Sequence, residues 1–287
     1  MLKHLKKTAV AAAIAISFST GAFAQAYITA GLLGADVNAS GTFNTLSYSG
    51  TEFLDHGTPM SYYWLNSSQA GSPFIADNAS STNPLGATTV GLGTISFSAA
   101  SGSLVFNQTI SLIGNAAVVN VSLTNTSLAA ITGVQWGVGI DPDQGMDEAS
   151  TATFNTVNSI LGQGSAAAAQ ALDPNSPFYG ITLRNTTSAS AFDIWAYIDS
   201  TCCSPVDPAS VLGNPAQAVG SYGTNDHSIN LAYGIGTIGA GQSVSFGYEY
   251  VFSAAPIPEP EIYAMLAAGL GLMGFVARRR QRNGAVA

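Results

Sequence analysis

Hydrophobic and polar positions alternate along much of the chain, most clearly towards its end. From Val244 to Phe252 every even-numbered residue is apolar, while most of the positions between them carry Ser, Gly or Glu. Residues 119–124 repeat the pattern, with Val or Leu alternating with Asn, Ser or Thr. A period of two is that of a β-strand with one buried face. These two segments therefore predict half-buried strands.

Further segments rich in β-branched and aromatic residues are separated by Gly, Asn and Pro, which favour turns. The predicted strands are 27–33, 61–65, 88–98, 103–113, 119–124, 131–140, 180–184, 192–198, 228–233 and 243–252. The alanine-rich run 165–172 is the one segment there that favours a helix. The pattern predicts an all-β domain over residues 25–252, an antiparallel β-sandwich or jelly-roll.

The charge distribution limits the possible partners. Only 8% of the residues are charged, and seven of the eight Lys and Arg lie near the two ends of the chain. Residues 25–256 hold 14 acidic residues and a single basic one, Arg184, for a net charge of −13. Nucleic-acid binding needs clustered cations. We therefore expect no nucleic-acid partner.

The first 24 residues have the order of a secretory signal peptide. Three lysines precede an apolar stretch, 9–18, and Ala22 and Ala24 form an A-x-A cleavage site before Gln25. This order predicts export through the Sec translocon and cleavage by signal peptidase. The alternative is an amphipathic first helix of the fold.

The last 26 residues have the features of a short membrane anchor. Residues 262–277 are apolar and uncharged, and arginines follow at once within 278–287. Sixteen helical residues span ~24 Å, which flanking side chains can extend across a bilayer. The positive-inside rule places Arg278, Arg279, Arg280 and Arg282 in the cytoplasm. A buried C-terminal helix is the alternative, although four nearby cations disfavour it.

Pro258, Glu259 and Pro260 stand just before this apolar run, inside a predicted linker, 253–261. Two prolines keep the peptide extended and accessible. The ordered set of Pro-Glu-Pro, short apolar helix and terminal arginines resembles the PEP-CTERM sorting signal. The resemblance covers 257–282 and implies recognition by an exosortase, in Gram-negative bacteria that make exopolysaccharide. Glu261 and Ile262 depart from the small residue and Ser or Thr that often follow the motif.

The densest acidic group consists of Asp141, Asp143, Asp147 and Glu148. Carboxylates at this spacing on a turn can supply oxygen ligands to calcium, although the spacing is not that of an EF-hand. The same residues also fit a solvated acidic turn or a glycosidase carboxylate pair. All three interpretations stay open at this stage.

Other candidate groups give weaker signals. Cys202 and Cys203, the only cysteines, could form a disulfide between neighbours or pair between molecules. A group of aromatic residues could form a sugar-stacking platform, but aromatic residues at strand spacing more often fill a core: Tyr62, Tyr63, Trp64, Trp136 and Trp195. His56 and His227 lie in no recognisable catalytic motif.

These features favour an exported, non-enzymatic surface or matrix protein, anchored transiently in the inner membrane and then sorted to the cell surface or medium. Exopolysaccharide is the expected partner, and no cofactor is expected apart from calcium. Two alternatives remain: a secreted carbohydrate-active enzyme and a calcium-stabilised adhesive module.

Overall fold

The computed structural model describes residues 26–54, 61–69, 72–78, 87–91, 93–143, 155–175, 179–188 and 192–253. The chain divides into two compact units, 1–254 and 255–287, and all the described residues belong to the first. Among the described residues, no helix is both long enough and apolar enough to cross a bilayer. The predicted apolar segment 262–277 lies outside them.

Eighteen strands are described within the first unit. They are β1 (Ala26–Ala30), β2 (Leu33–Val37), β3 (Phe43–Tyr48), β4 (Thr51–Glu52), β5 (Ser61–Asn66), β6 (Phe74–Asp77), β7 (Ala87–Gly91), β8 (Thr94–Ser101), β9 (Leu104–Ile113), β10 (Ala116–Asn125), β11 (Ile131–Ile140), β12 (Thr156–Gly162), β13 (Ala168–Leu172), β14 (Gly180–Asn185), β15 (Asp193–Asp199), β16 (Gly220–Asn225), β17 (Ser228–Ile238) and β18 (Ser243–Ser253). One short helix, α1 (Pro208–Leu212), lies between β15 and β16.

The strands form three antiparallel sheets. The largest has the order β16-β12-β13-β14-β18-β10-β9-β8-β7, the second β15-β17-β11-β5-β6 and the third β1-β2-β3-β4. The last strand, β18, is central in the nine-stranded sheet, paired with β10 on one side and β14 on the other. The prediction of an antiparallel, sandwich-like β domain is confirmed.

Aromatic side chains fill the space between the layers. Trp136 on β11 lies with its ring centroid 5.7 Å from Phe106 and 5.8 Å from Phe246, both on the nine-stranded sheet. Phe43 of the four-stranded sheet meets Tyr250 edge to face at 5.3 Å. The two smaller sheets therefore pack on the same inner face of the nine-stranded sheet, and burial of these rings is a large part of the hydrophobic stabilisation.

The helix suggested for 165–172 is wrong. A short 3-10 turn occupies Gly164–Ala166, and Ala168–Leu172 is the strand β13, paired on both sides. Ala169 and Ala171 are fully buried at this point. Small side chains there let the layers approach closely, and this tertiary contact outweighs the helical propensity of alanine.

Candidate functional site

Three carboxylates meet at one end of the five-stranded sheet. β11 ends at Ile140 and is followed at once by Asp141 and Asp143, whereas Asp226 comes just before β17. β11 and β17 are antiparallel and pair Ile140 with Ile229, so the end of one strand lies beside the start of the other. The topology therefore brings Asp226 next to Asp141 and Asp143.

This carboxylate cluster is compact and largely removed from water. One carboxylate oxygen from each of the three residues lies within 4.8 Å of the other two. Asp141 is 3% exposed and Asp143 is 0% exposed, while Asp226 is partly exposed. Like charges at such separations repel strongly when they are screened from solvent. Positive charge placed near the cluster would therefore stabilise its ionised form.

The chain supplies little positive charge for this purpose. Arg184 is the only Lys or Arg between residues 25 and 256, and its Nε donates to Glu249. A divalent cation would compensate the cluster instead. Calcium binds oxygen ligands at ~2.3–2.6 Å, so two ligands on opposite sides of the ion lie about 4.6–5.2 Å apart and neighbouring ligands lie closer. The spacing of the three carboxylates fits an ion of that size.

The structure brings together part of the predicted acidic group and adds a member. Asp141 and Asp143 lie in the cluster, whereas Asp147 and Glu148 lie outside the described residues. Asp226 was missed because it is distant in sequence. Its position just before the predicted strand 228–233 was the available signal, but only the pairing of that strand with β11 makes it informative.

The cysteines lie beside the carboxylate cluster. Cys202 and Cys203 form a disulfide between adjacent residues, and Cys203 Sγ is 3.7 Å from Asp141 Oδ2. Disulfide sulfurs are not thiolates and make poor metal ligands. With the disulfide formed, the carboxylate oxygens are therefore the metal ligands that this cluster offers.

The segment that carries the disulfide belongs to a longer connection over the outer face of the five-stranded sheet. Beneath it, Tyr62 Oη donates to Asn230 Oδ1 at 2.6 Å. Burial raises the pKa of Tyr62 far above its ordinary value, although a hydrogen bond with the backbone of Val206 opposes part of the shift. A Cβ on Gly139 would overlap the Asn230 amide. Gly139 therefore leaves the space in which this buried polar pair sits.

The aromatic group of the sequence analysis is divided between two environments. Tyr62, Tyr63 and Trp136 are buried, and Tyr63 stacks on Trp136 with ring centroids 5.0 Å apart. Trp64 and Trp195 are partly exposed on the outer face of the sheet. Trp64 lies on β5 and Trp195 on β15, and β11 and β17 lie between these strands. The two tryptophans are therefore three strand spacings apart. The five residues therefore do not form one platform.

A different aromatic group lies along β15. Its outward positions carry, in order, Asp193, Trp195, Tyr197 and Asp199, which we call the β15 strip. Burial, and after it the Asp199 carboxylate, raises the pKa of Tyr197 above its ordinary value. Asp199 Oδ2 accepts a hydrogen bond from Thr201 Oγ1 at 2.6 Å. The sequence showed this alternation, but not that β15 is an edge strand.

The predicted processing and sorting residues lie outside the described residues, as does His56. These are Ala22, Ala24 and Gln25 at the signal cleavage site, Pro258, Glu259 and Pro260 in the recognition motif, and Arg278, Arg279, Arg280 and Arg282 in the basic cluster. Their assignment rests on the sequence.

The C-terminal tail matches a known family model. Residues 256–280 match the PEP-CTERM protein-sorting motif, so the chain carries this sorting signal. The motif implies a sorting partner of the exosortase type, and a secreted protein that is anchored in a membrane before processing. No curated protein sequence matches the chain significantly.

Solved structures resemble the fold at very low sequence identity. Slr1438 protein from Synechocystis sp. PCC 6803 is 9% identical, with 84% of this chain and 99% of that chain covered and a TM-score of 0.50. A putative aldose 1-epimerase from Escherichia coli K12 is 12% identical, with 81% and 99% covered and a TM-score of 0.48. A galactose mutarotase related enzyme from Lactobacillus acidophilus is 8% identical, with 82% and 100% covered and a TM-score of 0.44. Such likeness concerns the fold alone.

Proposed function

We propose that the protein is a non-enzymatic component of the cell surface or extracellular matrix, sorted by an exosortase and associated with the exopolysaccharide of the producing cell. The sorting motif at residues 256–280 is the observation that carries the proposal. The acidic, β-rich domain that precedes it supports an extracellular role. Pro258, Glu259 and Pro260 act as recognition residues in this account.

A deletion strain tests the role in the matrix. We expect loss of the protein to reduce floc or biofilm formation, and we expect the full chain to restore it. The protein recovered from cells should also sediment with the native exopolysaccharide. Unchanged biofilm together with no sedimentation would contradict the proposal. Turnover of a glycan panel, abolished in Asp143→Asn, would instead favour a secreted carbohydrate-active enzyme.

A calcium-stabilised module is the second candidate, and the carboxylate cluster favours it. Asp141, Asp143 and Asp226 present closely spaced, largely buried oxygens in a domain with a single arginine. In this account calcium binds the folded state and stabilises it by mass action. Adhesion to the matrix then depends on calcium through the stability of the domain.

Thermal unfolding tests this second candidate. At free calcium 100 times its Kd we expect about 2.7 kcal/mol of stabilisation, or roughly 5–10 °C in Tm for a domain of this size. Asp143→Asn should remove the increase. Asp173→Asn, a change at a partly exposed carboxylate that is not in the cluster, should retain it. Equal Tm values in calcium and in EDTA would contradict calcium binding.

A further inference from the structure

The β15 strip is a short row of outward side chains on the edge strand of the five-stranded sheet. The inward residues Ile194, Ala196 and Ile198 are all buried in the core. The outward residues between them are two aromatic residues with a carboxylate at each end of the row. Trp195 and Tyr197 stay partly exposed, although they have large apolar surfaces that a core would accommodate.

Two glutamine side chains pair with backbone groups at the edge of β15. Gln163 Oε1 accepts from Ala196 N and its Nε2 donates to Ala196 O, at 2.7 and 2.9 Å. Gln217 makes the equivalent pair with Ile198 N and O, at 2.8 and 2.9 Å. Two glutamine amides thus take the place of a neighbouring strand. At Ala196 and Ile198, a partner that approaches β15 therefore meets the outward side chains rather than free backbone groups.

On the side of β17, away from the edge of the sheet, the strip is bordered by α1. Leu212 of this helix lies near Gly234, which pairs directly with Asp193 across the sheet. Ala232 pairs with Trp195 and is 2% exposed. The sheet beside the strip is therefore covered, whereas the strip itself is not. Along β15 the exposed aromatic surface therefore forms a single row.

The chemistry of the row fits a sugar chain. Trp195 and Tyr197 are two residues apart on one face, so their side chains leave the strand about 6.6 Å apart. Aromatic faces can pack on the C–H face of a pyranose ring, and carboxylates accept hydrogen bonds from its hydroxyls. The net charge of −13 over residues 25–256 disfavours an acidic polymer.

We propose that Asp193, Trp195, Tyr197 and Asp199 form a binding strip for an uncharged polysaccharide. The two rings stack on consecutive sugar units, and the terminal carboxylates bind their hydroxyls. The inference rests on the proposed association with exopolysaccharide and deepens it, because it assigns that association to one strand and to one charge class of glycan.

Sedimentation with insoluble polysaccharide tests the strip. The processed protein from producing cells is mixed with an uncharged glucan, a uronic-acid polymer and the native exopolysaccharide. We expect the wild type to bind the glucan but not the uronic-acid polymer. Trp195→Ala and Tyr197→Ala should each lower the affinity at least tenfold, and Asp193→Asn with Asp199→Asn should lower it several-fold. Tyr27→Ala, at an exposed tyrosine on β1, is the matched control and should bind normally.

A second measurement keeps the test independent of stability. Trp195→Phe retains an aromatic face, so it should fold, bind the glucan more weakly and lose much of the glucan-induced change in tryptophan fluorescence. Folded Trp195 and Tyr197 variants that bind as tightly as the wild type would overturn the strip but leave the proposed function intact. A wild type that binds no uncharged polysaccharide, or only the uronic-acid polymer, would overturn the strip too. Failure to bind the native exopolysaccharide as well would also remove the proposed association.

Discussion

Asn125 shows how much a single polar residue contributes at the end of a strand. It is fully buried, and its Nδ2 donates to the carbonyl oxygens of Ala129, Ile238 and Gly239 at 2.7, 2.9 and 3.1 Å. Its Oδ1 accepts from the backbone N and Oγ of Ser127. One side chain therefore links two separate turns, and it supplies a donor to the buried carbonyl group of Ile238.

Replacing this residue should be costly. We expect Asn125→Ala to lower the free energy of unfolding by about 2–4 kcal/mol, because the buried Ile238 carbonyl loses its donor, the contacts that link the two turns are lost, and a fully buried side chain is truncated. Asn120→Ala is the matched control, since Asn120 lies on the same strand and is exposed. It should change stability by less than about 0.5 kcal/mol. Chemical denaturation of both variants gives the comparison, and equal stabilities would contradict the role of Asn125.

Residue patterns predicted the core better than the site. The alternation at 243–252 identified Phe246, Tyr248, Tyr250 and Phe252 as one face, and all four are buried. By contrast, Asp226 joins Asp141 and Asp143 only because β17 pairs with β11. Alternation gives the face of a strand, but it does not give its neighbours.

At the scale of elements, the glutamine contacts along β15 protect an edge strand. Gln163 and Gln217 each bond one N–H and one C=O of β15. Unpaired edges invite pairing with another chain, and proteins commonly cover or interrupt them. These two side chains therefore stabilise the fold and also reduce association between molecules.

Removing both amides should expose that edge. We expect Gln163→Ala with Gln217→Ala to lower stability by about 1–3 kcal/mol and to increase self-association on heating. Gln170→Ala, at a partly exposed glutamine that bonds Thr182 Oγ1, is the control. Light scattering during a thermal ramp measures the difference. Indistinguishable scattering from the double variant and the control would contradict this role.

Several elements were beyond prediction from local pattern. The predicted strand 27–33 contains most of β1, a turn and the first residue of β2, and the predicted strand 88–98 contains the β7–β8 turn. In each case the turn is short and continues the apolar pattern. β13 has no β-branched residue, and β16 has a single one, Thr224, beside two glycines. The conformation of each is therefore decided by pairing with β12, which lies between them.

At the scale of the whole molecule, five buried tyrosines make the stability of the fold fall at alkaline pH. Burial raises the pKa of each above its ordinary value: Tyr62, Tyr63, Tyr233, Tyr248 and Tyr250. Because the pKa of each tyrosine is higher in the folded state, its contribution to the free energy of unfolding is fully present below the unfolded pKa of about 10. It is lost as the pH rises above that value, because only the unfolded chain can then ionise.

We therefore expect stability to be insensitive to these tyrosines up to about pH 9 and to fall above about pH 10. The loss should be ~1.4 kcal/mol per pH unit for each tyrosine that ionises only on unfolding. Absorbance at the tyrosinate band, followed together with circular dichroism, is the measurement. Ionisation of all tyrosines near pH 10 without loss of β structure would contradict their burial.

The central claim is that the protein is exported and sorted through its PEP-CTERM tail, and mass spectrometry of both ends of the protein tests it most directly. The protein is recovered from cells with and without the exosortase, and from cells that carry Glu259→Ala. With enzyme and intact motif we predict a start at Gln25 and loss of the segment 262–287. Without the enzyme, or with the altered motif, the tail should persist in the membrane fraction. The same C-terminus and the same location in all three strains would contradict the account.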